Sequence, residues 1–543
     1  MSFRPSQEGR QTSFADGEWG LSDGARRMLE ASWAHVFATE VYPMIDEAPF
    51  AALYSDNPAS RPNLPVRMTV GALILKELFR LTDEGLVEQL TFNTLFQHAL
   101  NTDAVYGPPL STKHLQRFRR ACVEHEAETG RDLVRECMVG VAHGIERLMG
   151  ITGAVERMDS TMVASNIRAL GRAELIYECV ALCCRQVARR GLGELPDALA
   201  PYARDGNRNK VFYHDRREGR SSEADVSARV LGDADLLVAT FGGALAGAEC
   251  LELLRRALVE QTVVEDGTRR LRTKEDGMPG SSMMQSPYDP DATFRRKAGR
   301  DHRGYAANFV ESCGEGGTVV TDYDYAPNNT SDQRFLRDHL ERAEAVEDGV
   351  IVTDGGYCGD EGEGLAREKG FELLTTDLTG REPKDSHADI EWSEDGTEML
   401  SCPAGRTPDG CSHYESSGQV RASFDAEACR GCPLREKCGA KVGKARASLT
   451  SSPKATRRAR HARRTKTEEF RDFYRLRNGS ETIPSLMKNR YGIDGLPRGT
   501  LRGKLFLGFK VGALNLAKLL AFRRGRVSYA KNPVLRRGSV AAA

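Results

Sequence analysis

The sequence has no run of about 18 uninterrupted apolar residues, the length that a membrane-spanning helix requires. Its best candidate, Leu505 to Phe522, contains Lys510 and Lys518 and therefore predicts an amphipathic core helix. The N-terminal residues MSFRPSQE also lack the apolar segment of a secretory signal. We therefore expect a cytoplasmic protein that does not contact a membrane.

A disulfide framework is not expected, although the 543-residue chain contains 13 cysteines. In a long chain without a secretory signal, cysteines favour free thiols or a bound metal. Cys179, Cys183 and Cys184 fall on one apolar helical stretch, which predicts buried structural thiols.

A second group of cysteines has the spacing Cys-x2-Cys-x5-Cys, preceded by a Cys-Pro-Ala-Gly segment. A Cys-x-x-Cys turn places two thiolates on one metal, and two further ligands complete a tetrahedral zinc site. A metal would also supply folding energy to a segment too short for a large core. Cys411 and His413 are alternates for one ligand, and unmetallated cysteines or a redox pair are the alternative to zinc. The predicted ligands are Cys402, Cys429, Cys432 and Cys438.

The chain has no net charge, because 77 Lys+Arg balance 77 Asp+Glu, but the charges are unevenly distributed. Residues 440–543 carry 26 Lys+Arg against 5 Asp+Glu, whereas the rest of the chain carries 51 against 72. A basic tract between Lys454 and Lys466 predicts a salt-dependent contact with DNA, and a solvated basic helix is the alternative. Its arginines are Arg457, Arg458, Arg460, Arg463 and Arg464.

The length of the chain predicts several domains rather than one core. Changes in composition and periodicity set their expected limits. The expected segments are a loosely ordered arm at residues 1–60, a helical domain at 61–150, the first part of an α/β core at 151–395 with a helical insertion at about 170–285, a cysteine-rich insertion at 396–440, the second part of the core at 441–525, and a basic tail at 526–543.

Helical periodicity is strong in the second segment. The pattern predicts one helix over Val70 to Leu81 and another over Asp83 to Leu100, with Asp83 as its cap. After a Gly-Pro-Pro break, Ser111 is expected to cap a third helix over Thr112 to Glu124. This layout is typical of a helix-turn-helix DNA reader, and a bundle that serves only for packing is equally compatible with it. The basic residues of the third helix are Lys113, Arg117, Arg119 and Arg120.

Two aspartates follow apolar segments that predict strands. Gly153 to Asp159 predicts a strand that ends at an exposed Asp159, and Gly349 to Asp354 predicts a β-branched strand that stops at a Gly-Gly turn. An aspartate at the carboxyl end of a strand, beside glycines, leaves room for a metal and a phosphate. Between them, Tyr305 to Val310 and Gly317 to Asp322 predict a hairpin.

Near the C-terminus, Tyr474, Arg477, Glu481 and Lys488 have the spacing Tyr-x2-Arg-x3-Glu-x6-Lys. On a continuous helix these offsets fall on one face. A carboxylate between cations suits a site in which the carboxylate holds a metal and the cations hold a phosphate. Pro484 removes an N–H from this helix, which weakens the single-face argument for Tyr474 and Arg477. The alternative is a solvated helix with ordinary ion pairs.

These motifs resemble those of bacterial insertion-sequence DDE transposases with a Tyr-Arg-Glu-Lys signature, over most of residues 60–525. The segment Asn328 to Asp332 is similar to the polar segment before the core helix of that family. The resemblance implies an α/β fold with an RNase H-like core, a mixed sheet flanked by helices. It implies that Asp159, Asp354 and Glu481 are catalytic and bind two Mg²⁺ or Mn²⁺ ions.

The resemblance also implies that Tyr474, Arg477 and Lys488 hold DNA phosphates, and it favours structural zinc in the cysteine-rich segment. The expected partners are the double-stranded ends of an element and a target DNA, with a homodimer when two ends are synapsed. The alternatives are an end-binding regulatory protein that no longer cuts and a stand-alone RNase H-fold nuclease. The intact set of three acids argues against the first, and the helical and basic segments argue against the second.

Overall fold

The computed structural model describes residues 1–6, 21–57, 59–104, 107–204, 222–277, 280–297, 299–375, 382–526 and 533–536. Most of the basic tail predicted at residues 526–543 lies outside these described residues, as do residues 205–221 of the predicted helical insertion.

The described N-terminal part of the chain is helical. Residues Asp46 to Leu64 connect its first helices to the rest through a short 3-10 segment, Ala48–Leu53. The helices are α1 (Asp23–Glu30), α2 (Trp33–Val36), α3 (Val66–Phe79), α4 (Asp83–Phe92), α5 (Thr94–Ala99), α6 (Thr112–Thr129) and α7 (Leu133–Met149).

The limits of these helices correct two predictions. The helix predicted over Asp83 to Leu100 is two helices, because Asn93 has an extended backbone and its side chain caps α5. Thr82, not Asp83, caps α4 by accepting a hydrogen bond from the Gly85 N–H. Ser111 caps α6 as predicted, and α6 continues to Thr129.

The strands build one large sheet and three small ones. In the large sheet β5 pairs antiparallel with β4, β6 and β1, β1 pairs parallel with β7, and β7 pairs parallel with β8. The strands are β1 (Val155–Ala164), β2 (Thr262–Glu265), β3 (Thr268–Leu271), β4 (Thr293–Lys297), β5 (Arg300–Gly314), β6 (Gly317–Pro327), β7 (Gly349–Thr353), β8 (Phe371–Thr375), β9 (Glu391–Trp392), β10 (Met399–Ser401), β11 (Gly410–Tyr414), β12 (Gln419–Asp425), β13 (Lys441–Val442) and β14 (Arg446–Ser451).

Helices cover the large sheet, so the chain has the predicted α/β architecture, a mixed sheet flanked by helices in the manner of an RNase H-like core. The hairpin predicted from Tyr305 is confirmed as β5 and β6. The remaining helices are α8 (Arg172–Arg190), α9 (Ala200–Ala203), α10 (Glu223–Phe241), α11 (Glu249–Gln261), α12 (Asp332–Arg342), α13 (Asp360–Glu368), α14 (Ala426–Arg430), α15 (Arg435–Cys438), α16 (Pro453–Arg464), α17 (Glu468–Asn478), α18 (Thr482–Asn489) and α19 (Thr500–Arg523).

The two faces of the sheet carry different helices. On one face, Met158 and Ile351 pack with Phe335 and Leu336 of α12. On the other face, Val155, Val350 and Val352 pack with Phe470, Phe473 and Leu476 of α17. Because side chains alternate along a strand, the position of a residue on β1 or β7 determines which helix it faces.

Helices α8 to α11 form a hydrophobic cluster of their own, separate from the sheet. Cys179, Cys183 and Cys184 are buried in it, as the apolar stretch predicted. The small β-structure from Ile390 to Leu449, which holds the cysteine-rich segment, has another separate cluster.

Helix α19 is a core helix, but it is not amphipathic as predicted. It is buried on most sides against β6, α3, α6 and α7. Its lysines reach carboxylates: Lys510 contacts Glu77 at 2.6 Å, and Lys518 pairs with Glu311. By length and composition alone this helix could cross a membrane, but most of it is buried inside the protein.

Candidate active site

Asp159 and Asp354 lie side by side at the centre of the sheet. The parallel strands β1 and β7 are in register from the pair Val155–Val350 to the pair Arg157–Val352. Two residues further along each strand are Asp159 and Asp354, and neighbouring strands lie about 4.8 Å apart. The alternation of side chains directs both carboxylates to the face that α17 covers.

The electrostatics of Asp159 agree with this proximity. Burial and then the nearby Asp354 raise the pKa of Asp159, Arg477 and Lys297 oppose the shift, and the resulting pKa is about 6. Two carboxylates that share a site disfavour each other's charge, and a cation relieves the repulsion.

The local structures around the two aspartates differ. Strand β7 stops at Asp354 as predicted, and the Asp354 carboxylate accepts a hydrogen bond of 2.8 Å from the Gly356 N–H in the Gly355–Tyr357 turn. The prediction that β1 ends at Asp159 is wrong. Strand β1 continues to Ala164 because β5 pairs with it throughout, from Glu156 to Ala164.

The segment that carries the third predicted acid is not one uninterrupted α-helix. It is α17, a 3-10 turn over Gly479–Glu481, and α18. Two hydroxyls bond carbonyls at this turn, Ser480 to Arg477 at 2.6 Å and Thr482 to Gly479 at 2.7 Å. Pro484 lies in the first turn of α18, where its lack of an N–H is tolerated. The single-face arrangement derived for a continuous helix is therefore corrected at this turn.

The turn nevertheless lies against the first aspartate's strand. Residues of Gly479–Glu481 contact β1. The Glu481 carboxylate, 65% exposed, forms an ion pair of 3.1 Å with Arg477, and Arg477 also lowers the pKa of Asp159. Arg477 thus lies between the exposed glutamate and the half-buried aspartate.

A buried arginine fixes α17 to the sheet beside these groups. Arg157, 1% exposed, donates a hydrogen bond of 2.8 Å to the Leu476 carbonyl and pairs with Glu311. Leu476 immediately precedes Arg477, and Arg157 lies two residues before Asp159. This contact therefore sets the position of Arg477 relative to Asp159.

Further cations border the acids. The pKa of His302 is lowered by burial and by Lys488, Lys297 and Arg300, so these side chains gather at the β4–β5 hairpin. Lys297 also lowers the pKa of Asp159. Tyr474, on α17, is 44% exposed. Sequence reasoning had not selected Lys297, whose place beside Asp159 depends on the sheet.

The oxygen ligands that Mg²⁺ or Mn²⁺ prefers are available in the three carboxylates. However, no group of three or more His, Cys, Asp or Glu side chains in the described part of the chain is arranged to hold a metal ion. The donor chemistry of the carboxylates fits the ion, and Glu481 is exposed and paired with Arg477.

The four cysteines predicted to bind zinc line one small cavity, together with Arg406 and Leu449. The pKa of Cys429 is raised by burial and by Cys402, Cys432 and Cys438, so the four thiols approach one another. Among the described residues, these four cysteines are also not arranged to hold a metal ion. Cys411 and His413 do not line this cavity, and Cys411 donates to the Met399 carbonyl.

The basic tract forms α16, and acids of the protein itself engage much of its charge. Arg463 pairs with Asp389 at 2.7 Å and with Asp385. Arg457 pairs with Asp360 at 2.8 Å, and Arg464 pairs with Glu372. Arg460 donates to the carbonyls of Ala388 and Ile390. These contacts attach α16 to its neighbours, a role that the sequence did not predict; contact of Arg457, Arg458, Arg460, Arg463 and Arg464 with DNA stays a prediction.

The basic face of α6 lines a groove of about 700 Å³ together with the first turns of α19. Arg119 is half-buried in it and pairs with Asp83, which gives this arginine a structural contact. Arg120 lies near Glu124 at 3.5 Å. Lys113 and Arg117 complete the α6 side, and Arg502 of α19 adds a cation from the far end of the chain. Sequence reasoning missed Arg502, because only folding brings α19 to α6.

Comparison with known families gives two matches. The family described as "Transposase DDE domain" matches residues 401–520, which contain Glu481, and the family described as "Transposase domain (DUF772)" matches residues 32–121, which contain the basic residues of α6. Neither the curated proteins nor the solved structures gave a match to the chain.

Proposed function

We propose that this chain, which belongs to the insertion-sequence type of DDE transposases, binds the double-stranded ends of its element and catalyses metal-dependent cleavage and strand transfer. The observation that carries the proposal is the register of β1 and β7, which brings Asp159 and Asp354 to one level of the sheet beside the turn that holds Glu481. Such a set of acids serves phosphoryl transfer.

Asp159, Asp354 and Glu481 would hold the divalent ions. Two such ions, Mg²⁺ or Mn²⁺, supply an activated attacking oxygen and stabilisation of the leaving oxygen. The residues of the chain do the rest. Asp159 gives up its proton above a pH of about 6, which makes it a ligand at neutral pH. Arg157 keeps α17 in place, so that Arg477 and Glu481 stay beside the strand.

The cations around the acids suit the scissile phosphate. Arg477 offers a planar fork of donors, and Lys488 and Lys297 offer point charges at the β4–β5 hairpin. An incoming phosphate would compete with Glu481 for Arg477 and so release the glutamate towards the metal. Tyr474 is exposed on the same helix and could donate its hydroxyl to DNA.

Other parts of the chain complete the proposed assembly. The groove between α6 and α19 would hold the backbone of the end DNA through Lys113, Arg117, Arg120 and Arg502. The four clustered cysteines would bind one structural zinc ion. Synapsis of two ends requires at least two copies of the chain, in the bacterial cytoplasm at the nucleoid.

The test is cleavage and strand transfer on a DNA fragment that carries the inverted repeats bordering the gene. We expect Mg²⁺-dependent cutting by the wild-type chain and none by Glu481→Gln, since a neutral amide is a poor ligand for a hard ion. End binding in a gel-shift assay should be nearly unchanged. Glu468→Gln is the matched control, because Glu468 is an exposed glutamate of α17 that pairs only weakly with Arg471, at 3.6 Å.

The same assay separates the alternatives. A wild-type chain that binds the ends without cutting them would be a regulatory protein, and one that cuts structured nucleic acid without joining would be a nuclease. Cutting by Glu481→Gln at the wild-type rate would remove Glu481 from the catalytic set.

A further inference from the structure

We propose that Asp332 is a fourth carboxylate of the active site and contributes to the binding of the divalent ion beside Asp354. The inference rests on the proposed function for the reaction, but it concerns a residue outside the Asp, Asp and Glu of the motif analysis. Among the described residues, Asp159, Asp332 and Asp354 form no ion pair with a lysine, arginine or histidine. A buried carboxylate without a cation is costly, and a bound cation would offset that cost.

The fold brings Asp332 to the site around the end of a strand. Asp332 is the first residue of α12, capped by Ser331, and is 8% exposed. Helix α12 covers the face of the sheet opposite α17. Strand β7 ends at Thr353 while β1 continues to Ala164, and the Gly355–Tyr357 turn that follows β7 contacts α12.

One serine connects Asp332 with Asp159. The Ser160 hydroxyl donates a hydrogen bond of 2.6 Å to Asp332 Oδ1, and the Ser160 N–H donates one of 2.9 Å to Asp159 Oδ1. This use of Ser160 leaves Asp332 Oδ2 for another partner. The two acids therefore keep a fixed relation, although one lies on a strand and the other on a helix.

Gly356 shows that Asp332 and Asp354 face the same small space. A β-carbon placed on Gly356 would lie 2.8 Å from Asp332 Oδ2 and 3.0 Å from Asp354 Oδ1. The distance between Asp332 Oδ2 and Asp354 Oδ1 is therefore at most the sum of these two distances. Two ligands of one Mg²⁺ ion, each at about 2.0–2.1 Å, are about 3–4 Å apart, so a modest approach of the two carboxylates allows them to share the ion or a water bound to it.

An unsatisfied donor marks the same place. The Asn308 side chain is fully buried, and its Nδ2 has no hydrogen-bond partner among the described residues. Its Oδ1 accepts a hydrogen bond of 2.6 Å from the Tyr357 hydroxyl, and Asn308 lies directly opposite Ser160 in the β1–β5 pairing. A water held in this space would give this amide the acceptor that it lacks.

The surroundings of Tyr357 support the grouping of the acids. The pKa of Tyr357 is raised well above its ordinary value by burial and then by Asp332, Asp159 and Asp354. All three carboxylates thus lie near the buried side chain of Tyr357. A divalent ion bound at this place would offset most of the negative charge that the three carboxylates bring together.

The test measures metal binding directly, so that it does not depend on catalysis. Mn²⁺ affinity of the full-length chain is measured by calorimetry or electron paramagnetic resonance, with Asp332→Asn compared with Asp338→Asn. Asp338 is the matched control, because it lies on the same helix and pairs with Arg334 at 2.6 Å, away from the acids. We expect Asp332→Asn to weaken Mn²⁺ binding by about 10- to 100-fold, the range for groups that support a metal site, and Asp338→Asn to leave it unchanged.

The thermal midpoint without metal separates a ligand from a structural residue. Removal of an uncompensated buried charge should keep or raise the midpoint of Asp332→Asn, whereas loss of a structural hydrogen bond would lower it. Should Asp332→Asn fail to fold, Ser160→Ala provides the second variant, with an expected several-fold loss of Mn²⁺ affinity. Wild-type Mn²⁺ affinity in Asp332→Asn, or in Ser160→Ala where that variant replaces it, would overturn the inference. Mn²⁺ binding that depends on Asp332 in a chain unable to cut DNA would overturn the proposed function alone.

Discussion

Asp159 combines two features that both disfavour its negative charge in the metal-free protein. It is half-buried on a central strand, and it lies beside a second carboxylate at the same level of the neighbouring strand. Both features raise its pKa to about 6. A group that functions as an ionised ligand at neutral pH is therefore held where its charge is unfavourable until a cation arrives.

Because the charge of Asp159 is unfavourable in the metal-free protein, we predict that Asp159→Asn stabilises the metal-free chain at neutral pH. The folded-state pKa is above the unfolded value, so the folded state binds more protons and stability falls as pH rises from about 4 to about 6. The charged aspartate then destabilises the fold by about 3 kcal/mol well above pH 6, and the neutral amide does not. The measurement is the urea-unfolding free energy of both proteins at pH 4 and pH 7.5, in the presence of a chelator.

The stabilisation by Asp159→Asn should vanish at pH 4, where the wild-type carboxyl is protonated in the folded state. An equal effect at both pH values would show that the substitution acts through packing or hydrogen bonds rather than through the charge of Asp159.

At the scale of elements, the attachment of α17 to the sheet depends on a buried ionic group. Arg157 and Lys518 both reach Glu311, and although burial alone would raise its pKa, they hold it at about 2. Arg157 also bonds the last turn of α17 through Leu476. The helix that carries Arg477 is thus fixed by a residue of the strand that carries Asp159.

Arg157→Met should therefore destabilise the chain by about 3 kcal/mol, the lower end of the range for a buried charge that loses a partner, because Lys518 still pairs with Glu311. Arg131→Met is the control, since Arg131 pairs with Glu136 in solvent and its loss should change the unfolding free energy little. Denaturant unfolding of the two variants measures the difference. Equal effects would mean that burial of the pair does not determine its contribution.

The cysteine-rich element is predicted to contain one zinc ion per chain, a prediction that elemental analysis of the purified protein checks. Cys432→Ser should release the zinc and make the segment from Ile390 to Leu449 sensitive to protease, because a metal stabilises so small a core. Cys411→Ser should retain the zinc, since Cys411 lies outside the cavity of the four thiols. Wild-type protein without zinc would leave these cysteines as free thiols.

At the scale of the whole molecule, charge in the sequence and charge available to DNA differ. Arginines of the basic helix α16 form ion pairs with acids of the protein itself, namely Asp360, Glu372, Asp385 and Asp389. The groove of α6 and α19 keeps Lys113, Arg117 and Arg502 on an open surface. We therefore expect most of the salt-dependent affinity for DNA to come from the groove.

The salt dependence of end binding distinguishes the two basic surfaces. Arg117→Gln should reduce the slope of log K against log salt by about 1, the value for one lost phosphate contact. Arg463→Gln removes a charge that Asp385 and Asp389 already engage, and should leave the slope unchanged. The reverse pattern would place the DNA on α16.

The sequence by itself determined the features that local chemistry controls. Ser111 caps α6, β7 stops at Asp354 before two glycines, and a hairpin follows from alternating apolar residues, because each depends on neighbours along the chain. The α/β fold with an RNase H-like core followed from the order of such elements and from the resemblance that their motifs carried.

Only the tertiary structure decided how these elements meet. Pairing with β5 extends β1 past Asp159, and register with β7 places Asp354 beside it. Ser160 of β1 bonds Asp332 of α12, and distant acids pair with the arginines of α16. Each of these contacts joins residues far apart in the chain, so their formation depends on strand register and helix packing, which no local pattern of residues specifies.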